Sequence, residues 1–348
     1  MIIFVIAIGI VIPIGCSDQP KVVEPESQRK LLLGTTIGVS IYDEVPDGIF
    51  EEIFDRVEEI QWRMTVDEDD SEASAINQAA GVSPVAVSPD TFAVVDAAVS
   101  ASQHSAGAFD VAIGPLVKLW DIGSETTSRP PPDEAIQELL PLVDYTAVQL
   151  DYLEGTVYLE QPGMAIDLGG IAKGFAADEA ARILREAGVQ HALMDFGGNI
   201  LTIGHKPDGS PWRIGVQRPD DARGRYIGIL KTTDRAVVTS GPYERFFIGP
   251  DGTRYHHIID PDTGYPARPD VESVTVISKD SMLADALSTS LYVMGLERGM
   301  QLVESSYGVE SIMLTEDGVV HLSSGIGDAF ELTSDDYRLA GAPIVDSR

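Results

Sequence analysis

Cysteine is nearly absent from this chain: one of 348 residues, Cys16, carries a thiol, so no disulfide can form within it. Basic residues are scarce too, with 24 Lys and Arg against 55 Asp and Glu, a formal net charge of −31 at pH 7. That balance argues against sequence-independent nucleic-acid binding and against attraction to anionic lipid, since both need a positive face. It suits a domain in an extracytoplasmic or salty medium, where charge is screened. Long hydrophobic runs are missing beyond the first fifteen residues, and no internal repeat occurs. What remains is ordinary globular material: 44% hydrophobic residues, enough to bury one large core or two lobes sharing one.

Met1 to Gly15 is almost wholly apolar, too short to span a bilayer comfortably, and ends at Cys16. An apolar run with Gly before a lone Cys resembles a bacterial lipoprotein signal, in which the Cys becomes lipidated and N-terminal. A plain secretory signal or an uncleaved anchor are the alternatives, and all three imply export to the cell envelope. A lipid anchor would hold the protein on a membrane without making it span one. Residues 1–15 are therefore expected to be a signal peptide and 16–30 a polar, Pro-containing tether, followed by one domain over 31–335 and a loose tail over 336–348.

Within the domain, 31–42 reads as a strand entered through a Gly-Thr turn. An amphipathic helix over 47–63 carries Ile49, Phe50, Ile53, Val57 and Ile60 on one stripe, and an acidic loop (66–71), a short helix (71–77) and a longer one (89–105) follow. The turn Gly107-Ala108-Phe109-Asp110, a hairpin over 148–159, short strands at 212–217, 226–231 and 236–239, a helix over 281–294 and two closing strands predict a mixed α/β (α+β) fold. Arg129 to Asp133, rich in proline, reads as a surface loop inside that domain.

The most informative stretch is Asp167-Leu-Gly-Gly-Ile-Ala-Lys-Gly-Phe-Ala-Ala-Asp178. A short buried strand (163–167) is expected to pass through Gly169-Gly170 directly into a helix with Ala176, Ala180, Ile183, Leu184 and Ala187 at helical spacing. Adjacent glycines let backbone N–H groups approach an anion, the helix N-terminus adds positive dipole, and Lys173 supplies a mobile charge. An ordinary strand-to-helix connection explains the same residues. A second Gly-Gly, Gly197-Gly198, reads as a kink between strands, with Asn199 free to bond a ligand or its own turn.

Further on, Asp285 and Thr289 lie four apart on the 281–294 helix, away from the core stripe of Ala284, Leu287, Leu291 and Met294. A carboxylate and a hydroxyl one turn apart, completed by a carbonyl and ligand oxygens, suit Mg²⁺; an acid favouring the first helical turn and a Thr bonding its own helix is the commoner meaning of that spacing. His256 and His257 fall in a strand and so face opposite sides, one able to enter a cleft. Upstream, the turn from Thr239 to Tyr243 offers hydroxyl and N–H donors.

Taken together, Gly34-Thr35-Thr36, Ser71-Glu72 through Asn77, Gly107 to Asp110 with Gly114 to Trp120, Asp167 to Asp178, Gly197-Gly198-Asn199, Thr239-Ser240-Gly241, His257 to Gly264 and Ala284 to Thr289 resemble the ApbE family, over about 31–322. Its members are flavin transferases that move FMN from FAD onto a Ser or Thr hydroxyl of a target protein, and are typically exported, often as lipoproteins. The resemblance implies a single domain of mixed sheets flanked by helices, with FAD in a cleft between two lobes. It assigns Mg²⁺ to Asp285, Thr289 and the Gly170 carbonyl, and FAD to Ala108, Phe109, Asp110, Asp167, Lys173, Ala176, Ile259 and Ser288. It makes His257 rather than His256 the group that assists the attacking hydroxyl, and an envelope redox subunit the expected target. Leu33 and Val66 replace the family's usual Met and flavin-contacting Tyr. The same site would also serve an FAD pyrophosphatase releasing FMN and AMP, and a noncatalytic FAD-binding envelope lipoprotein is a third possibility.

Overall fold

A computed structural model describes residues 23–124, 127–219 and 224–341. The expected signal peptide, Cys16 and the first part of the expected tether fall outside the described residues, as do the last seven of the expected tail.

In chain order the elements are β1 (Glu26–Leu32), β2 (Thr35–Ile41), α1 (Ile49–Met64), α2 (Glu72–Gln78), β3 (Val85–Ala86), α3 (Pro89–His104), α4 (Gly114–Trp120), α5 (Asp133–Leu139), β4 (Val148–Asp151), β5 (Thr156–Leu159) and α6 (Ala172–Glu186). There follow β6 (Ala192–Phe196), β7 (Asn199–Ile203), β8 (Trp212–Gln217), β9 (Tyr226–Thr232), β10 (Ala236–Ser240), β11 (Phe246–Ile248), β12 (Arg254–His256), β13 (Val271–Ser278), α7 (Ser281–Ser305), β14 (Glu310–Thr315), β15 (Val319–Leu322), β16 (Phe330–Leu332) and β17 (Arg338–Leu339).

A nine-stranded sheet, in the order β1-β2-β6-β7-β10-β13-β14-β15-β17, divides the molecule. One face packs under α7, α6 and α1; the other is covered by the small sheet β16-β9-β8. Central strands are thus apolar on both sides. Val238, Val276 and Met313 belong to the helical core, whereas their neighbours Val237, Ile277 and Ile312 join Trp212 and Leu230 on the opposite face. Covering both faces is why β13 is buried along nearly its whole length, the polar Ser273, Thr275 and Ser278 included. A smaller lobe gathers α4, α5 and the hairpin β11–β12 around Trp120, whose indole N–H donates to the Gly264 carbonyl at 2.8 Å.

Local signals explain the helices. α1 buries Ile49, Phe50, Ile53, Phe54, Val57, Ile60 and Met64 along one stripe, with Glu51 and Glu52 in its first turn and Arg63 in its last, as the helix dipole favours. α3 starts at Pro89 behind the Ser88 cap.

Several sequence expectations need correction. The tether does not extend to Lys30: β1 begins at Glu26 and pairs with β2, so the expected strand over 31–42 is a hairpin turning at Leu33-Gly34. The loose tail is not loose throughout, for β17 pairs in parallel with β15. Residues 163–167 bury only Met164 and Ile166 and make a single bridge, Ala165 to Ile113. Gly197-Gly198 is a tight hairpin turn, not a kink. α7 continues past Met294 to Ser305, broken at Gly295 (φ 76°), where the Asp270 carboxylate accepts from the Leu296 N–H at 2.9 Å and caps the second half. Among the described residues, no helix is long and apolar enough to cross a membrane.

Candidate active site

The segment before the glycine pair is held by side chains and turns instead of a sheet. Asn77 clamps it twice, its amide oxygen accepting from the Ile166 N–H at 2.7 Å and its amide nitrogen donating to the Ile166 carbonyl at 3.1 Å. The Gly114 N–H donates to Ala165 and the Asp167 N–H to Val111. A side chain at Gly114 would meet the Ala165 carbonyl at 2.6 Å, so glycine is required there for close approach. Asp167 then accepts the Gly169 N–H at 2.8 Å, a local turn that presents Gly169-Gly170 to the start of α6. Burial pushes the Asp167 carboxyl up, opposed by that N–H.

From the opposite side comes α7. Gly174 lets the first turn of α6 lie directly against it: a Cβ there would fall 2.3 Å from the Ser281 carbonyl oxygen. Asp178 of α6 caps α7 by accepting from the Ser281 and Met282 N–H groups at 3.0 and 2.8 Å. Burial raises the Asp178 pKa to about 7. This docking aims Asp285 at the glycine pair. Its carboxylate is 4% exposed, accepts from the Gly174 N–H at 2.9 Å and lies 3.4 Å from the Lys173 ammonium, which also donates to the Gly169 carbonyl at 3.1 Å. Burial drives the Asp285 pKa up, while Lys173 and the Gly174 N–H draw it down. Thr289 comes one turn later. A Cβ on Gly170 would sit 3.8 Å from the Thr289 hydroxyl and 3.0 Å from the Phe109 ring, so these three residues converge. Carboxylate, hydroxyl and backbone carbonyls form a hard all-oxygen cluster able to hold a divalent cation.

The third wall is the turn ending in Asp110. Phe109 donates its N–H to the Ser105 hydroxyl, and the Asp110 carboxylate accepts from Ala112 and Tyr145 N–H groups at 2.7 and 3.0 Å. Burial lifts the Asp110 pKa to about 6. Both oxygens of Asp110 are thus bound to backbone, and its visible work is to hold the Ala108-Phe109 turn.

The two histidines separate as strand geometry predicts. His256 is buried, with Nε2 on the Ala267 carbonyl at 2.8 Å and its ring edge-on to Tyr292. His257 is exposed to solvent; the protein packed around its ring lowers its imidazole pKa to about 4, with the charges of His256, Arg245 and Lys173 acting the same way. Its Nδ1 lies 3.3 Å from the Arg245 carbonyl.

Of the assigned residues, Phe109, Gly170 and Thr289 meet, Lys173 lies between Asp285 and the Gly169 carbonyl, and its charge is felt by Asp167 and His257. Ala176 and Ser288 are wholly enclosed and present no side-chain surface to that cluster; the Ser288 hydroxyl is engaged with the Ser240 hydroxyl and the Asp285 carbonyl, both at 2.8 Å. Ile259 packs in the small-lobe core beside Leu116 and Trp120. The Asn199 amide oxygen serves α7 rather than its own turn, accepting from the Ser281 hydroxyl at 2.9 Å. Arg245 and Asp67, both electrostatically felt by Asp167, were not read as site residues, nor was the Asp178 cap. Arg245 follows the Thr239–Tyr243 turn by two residues, the one local signal that pointed its way.

Comparison with known proteins agrees with this geometry. The ApbE family model matches residues 33–313. An FAD:protein FMN transferase of Treponema pallidum is 37% identical over 331 residues, covering 90% of this chain and 91% of its own, and one of Klebsiella pneumoniae is 38% identical over 86% and 92%. The crystal structure of the ApbE protein of Thermotoga maritima superposes with a TM-score of 0.80 at 34% identity, over 86% of this chain and 97% of that one. The flavin transferase ApbE of Vibrio cholerae gives 0.74 at 33%, over 90% and 98%. The chain belongs to the ApbE family.

Proposed function

We propose that this ApbE-family protein transfers FMN from FAD to a Ser or Thr hydroxyl of a target protein, as an FAD:protein FMN transferase. The observation that carries this reading is the buried Asp285 carboxylate, held by the Gly174 N–H at 2.9 Å and set with Thr289 against the glycine pair. A site that only stored flavin would gain nothing from a desolvated acid at the pyrophosphate end.

The residues present fit Mg²⁺. Among the described residues no group of three or more His, Cys, Asp or Glu could hold a metal, so the protein offers one carboxylate, the Thr289 hydroxyl and a carbonyl such as that of Gly170. Mg²⁺ is the ion that takes few protein ligands and leaves places for phosphate oxygens. When bound, it neutralises charge on the pyrophosphate. Lys173 holds the nonreacting phosphate oxygens, since the N–H groups of Gly169, Ile171, Ala172 and Gly174 are spent on protein acceptors. His257, unprotonated at neutral pH, orients the acceptor hydroxyl and takes its proton; an anionic phosphate beside it raises its basicity from the low value set by burial. The acceptor oxygen bonds to the FMN-side phosphorus, the bond from that phosphorus to the bridging oxygen breaks, and AMP leaves with that oxygen. Positioning supplies most of the rate in such a transfer.

The apolar run ending at Cys16 supports export and lipidation at that residue, with 17–25 as a short tether to β1 and an envelope redox subunit as target. The test is to incubate the purified protein with FAD, Mg²⁺ and a candidate target domain. Covalent FMN on the target supports the reading; free FMN with AMP makes the protein a pyrophosphatase, and unchanged FAD makes it a binder.

A further inference from the structure

The hairpin β11–β12 stands apart from the other sheets as a two-stranded unit, and the cleft begins at its base: Arg245 directly precedes β11 and His257 directly follows β12. Its register fixes which backbone groups are spent. The His257 N–H donates to the Arg245 carbonyl at 3.1 Å and the Gly249 N–H to the Thr253 carbonyl at 2.8 Å, with Phe247 opposite Tyr255 between them. Residues 245, 247 and 249 therefore turn their polar groups toward β12. In an antiparallel ladder the alternate residues must turn theirs the other way, so the N–H and C=O groups of Phe246 and Ile248 line an outer edge with no strand beside it.

That edge is defended differently from the rim of the large sheet, where β1 exposes Glu26, Arg29 and Lys30, charges that discourage pairing. β11 exposes Phe246 and Ile248 at 41% and 53%, with the Arg254 guanidinium of β12 over one face of the Phe246 ring at 4.7 Å. The other face of β11 is braced: Phe247 stacks on Tyr255 at 5.2 Å, and Tyr255 lies 5.5 Å from Trp120 in the small-lobe core. An unpaired edge braced from behind and carrying exposed apolar side chains suits strand addition, in which backbone bonds give affinity and alternate side chains give register. Next to β11, exposed Arg245 makes no ion pair among the described residues; its guanidinium lies beside Gly34 and its charge reaches Asp167, on a chain of net charge −31.

We infer that the β11 edge docks an extended segment of the acceptor protein, with an acidic side chain of that segment on Arg245 and its Ser or Thr delivered to the cleft beside His257. This rests on the transferase reading above and names how its protein substrate is held.

The probe is a displayed library of peptides of about twelve residues, long enough for one strand and the approach to the cleft, each with a fixed central threonine. Peptides are recovered by covalent flavin after incubation with the wild-type protein, FAD and Mg²⁺. Ile248→Pro deletes one outward N–H and leaves the ladder to β12 intact; Phe246→Ser removes the apolar face without touching the backbone. The expected result is that each raises KM for recovered peptides about tenfold, as loss of one hydrogen bond or one apolar contact implies, with FAD affinity unchanged. Peptide N-methylated at alternate residues should lose transfer in one phase of the alternation only. Unchanged KM in both variants overturns the proposal, and so does an edge found to pair two copies of this chain, seen as a wild-type dimer that Ile248→Pro dissociates. If the wild type labels no peptide or protein yet cleaves FAD to FMN and AMP, the transferase reading itself fails and the docking inference falls with it.

Discussion

Two Gly-Gly pairs sit about thirty residues apart in this chain, look alike on paper, and do different jobs. Gly197-Gly198 closes the β6–β7 hairpin, with Phe196 paired to Asn199 and both glycines at positive φ, 69° and 96°. Such a two-residue turn needs left-handed backbone at both positions, and a Cβ on Gly197 would also strike the Thr35 hydroxyl at 2.3 Å. Gly169 and Gly170 adopt no positive φ. What glycine provides there is room: a side chain at Gly170 would press on Phe109 and intrude beside Thr289. One pair answers to conformation and the other to access. The same dipeptide marks a folding requirement in one place and a binding requirement in the other.

The strongest test of that contrast removes what the access serves. Asp285→Ala should cost more than about 100-fold in Mg²⁺-dependent FMN transfer, since it deletes the one carboxylate of the oxygen cluster, with the thermal unfolding transition still cooperative. Retained transfer would sink the assignment. Gly197→Ala should lower folding stability by about 2–4 kcal/mol in urea titration, combining left-handed strain with the Thr35 clash, while kcat of the folded protein stays near wild type. Gly170→Ala should do the reverse, shifting stability by under about 1 kcal/mol but slowing transfer about tenfold. In an Asp285→Ala background it should add no further loss, because both act through one cluster. A stability loss at Gly170 as large as at Gly197 would erase the distinction.

The smallest expected effect concerns the docking that brings the glycine pair to α7. With its folded pKa raised to about 7, Asp178 binds a proton more readily in the native than in the unfolded state. Its contribution to stability is therefore greatest below the ordinary Asp pKa of about 4 and is lost as pH rises through about 7. Asp178→Asn should flatten the wild-type stability profile across that window in pH-dependent denaturant melts. Asp110, raised to about 6, leaves part of the slope in place, and His257, depressed to about 4, opposes it. A profile unchanged by the substitution would place the titration elsewhere.

How much of this was legible beforehand varies by element. The stripe of α1 and the Ser88-Pro89 start of α3 were plain because the signals are local. α7 runs past Met294 because Asp270, well upstream, supplies the cap that lets the helix resume after Gly295. The strand expected at 163–167 has its backbone bonded to the Asn77 side chain, Val111 and Gly114, partners no periodicity reveals. β11 has three residues, too few for a pattern in the sequence. Which histidine faces the cleft followed from strand alternation only as a choice of two; burial of His256 against Tyr292 made the choice.

The amino-acid sequence by itself determined the mixed α/β content, the acidic surface, the Asp285/Thr289 spacing and the presence of a glycine pair ahead of a helix, since each depends on neighbours within a few turns. It also carried the family, through the order of those segments. The family resemblance paired Asp285 with the first glycine pair; only the tertiary structure shows what brings them together. Lys173 and Asp285 are separated by 112 residues, and they meet because Gly174 removes the side chain that would hold α6 and α7 apart and Asp178 satisfies the first N–H groups of α7. Contacts made by closing so long a loop leave no trace in local spacing, because the packing that repays the closure forms only when the whole core does.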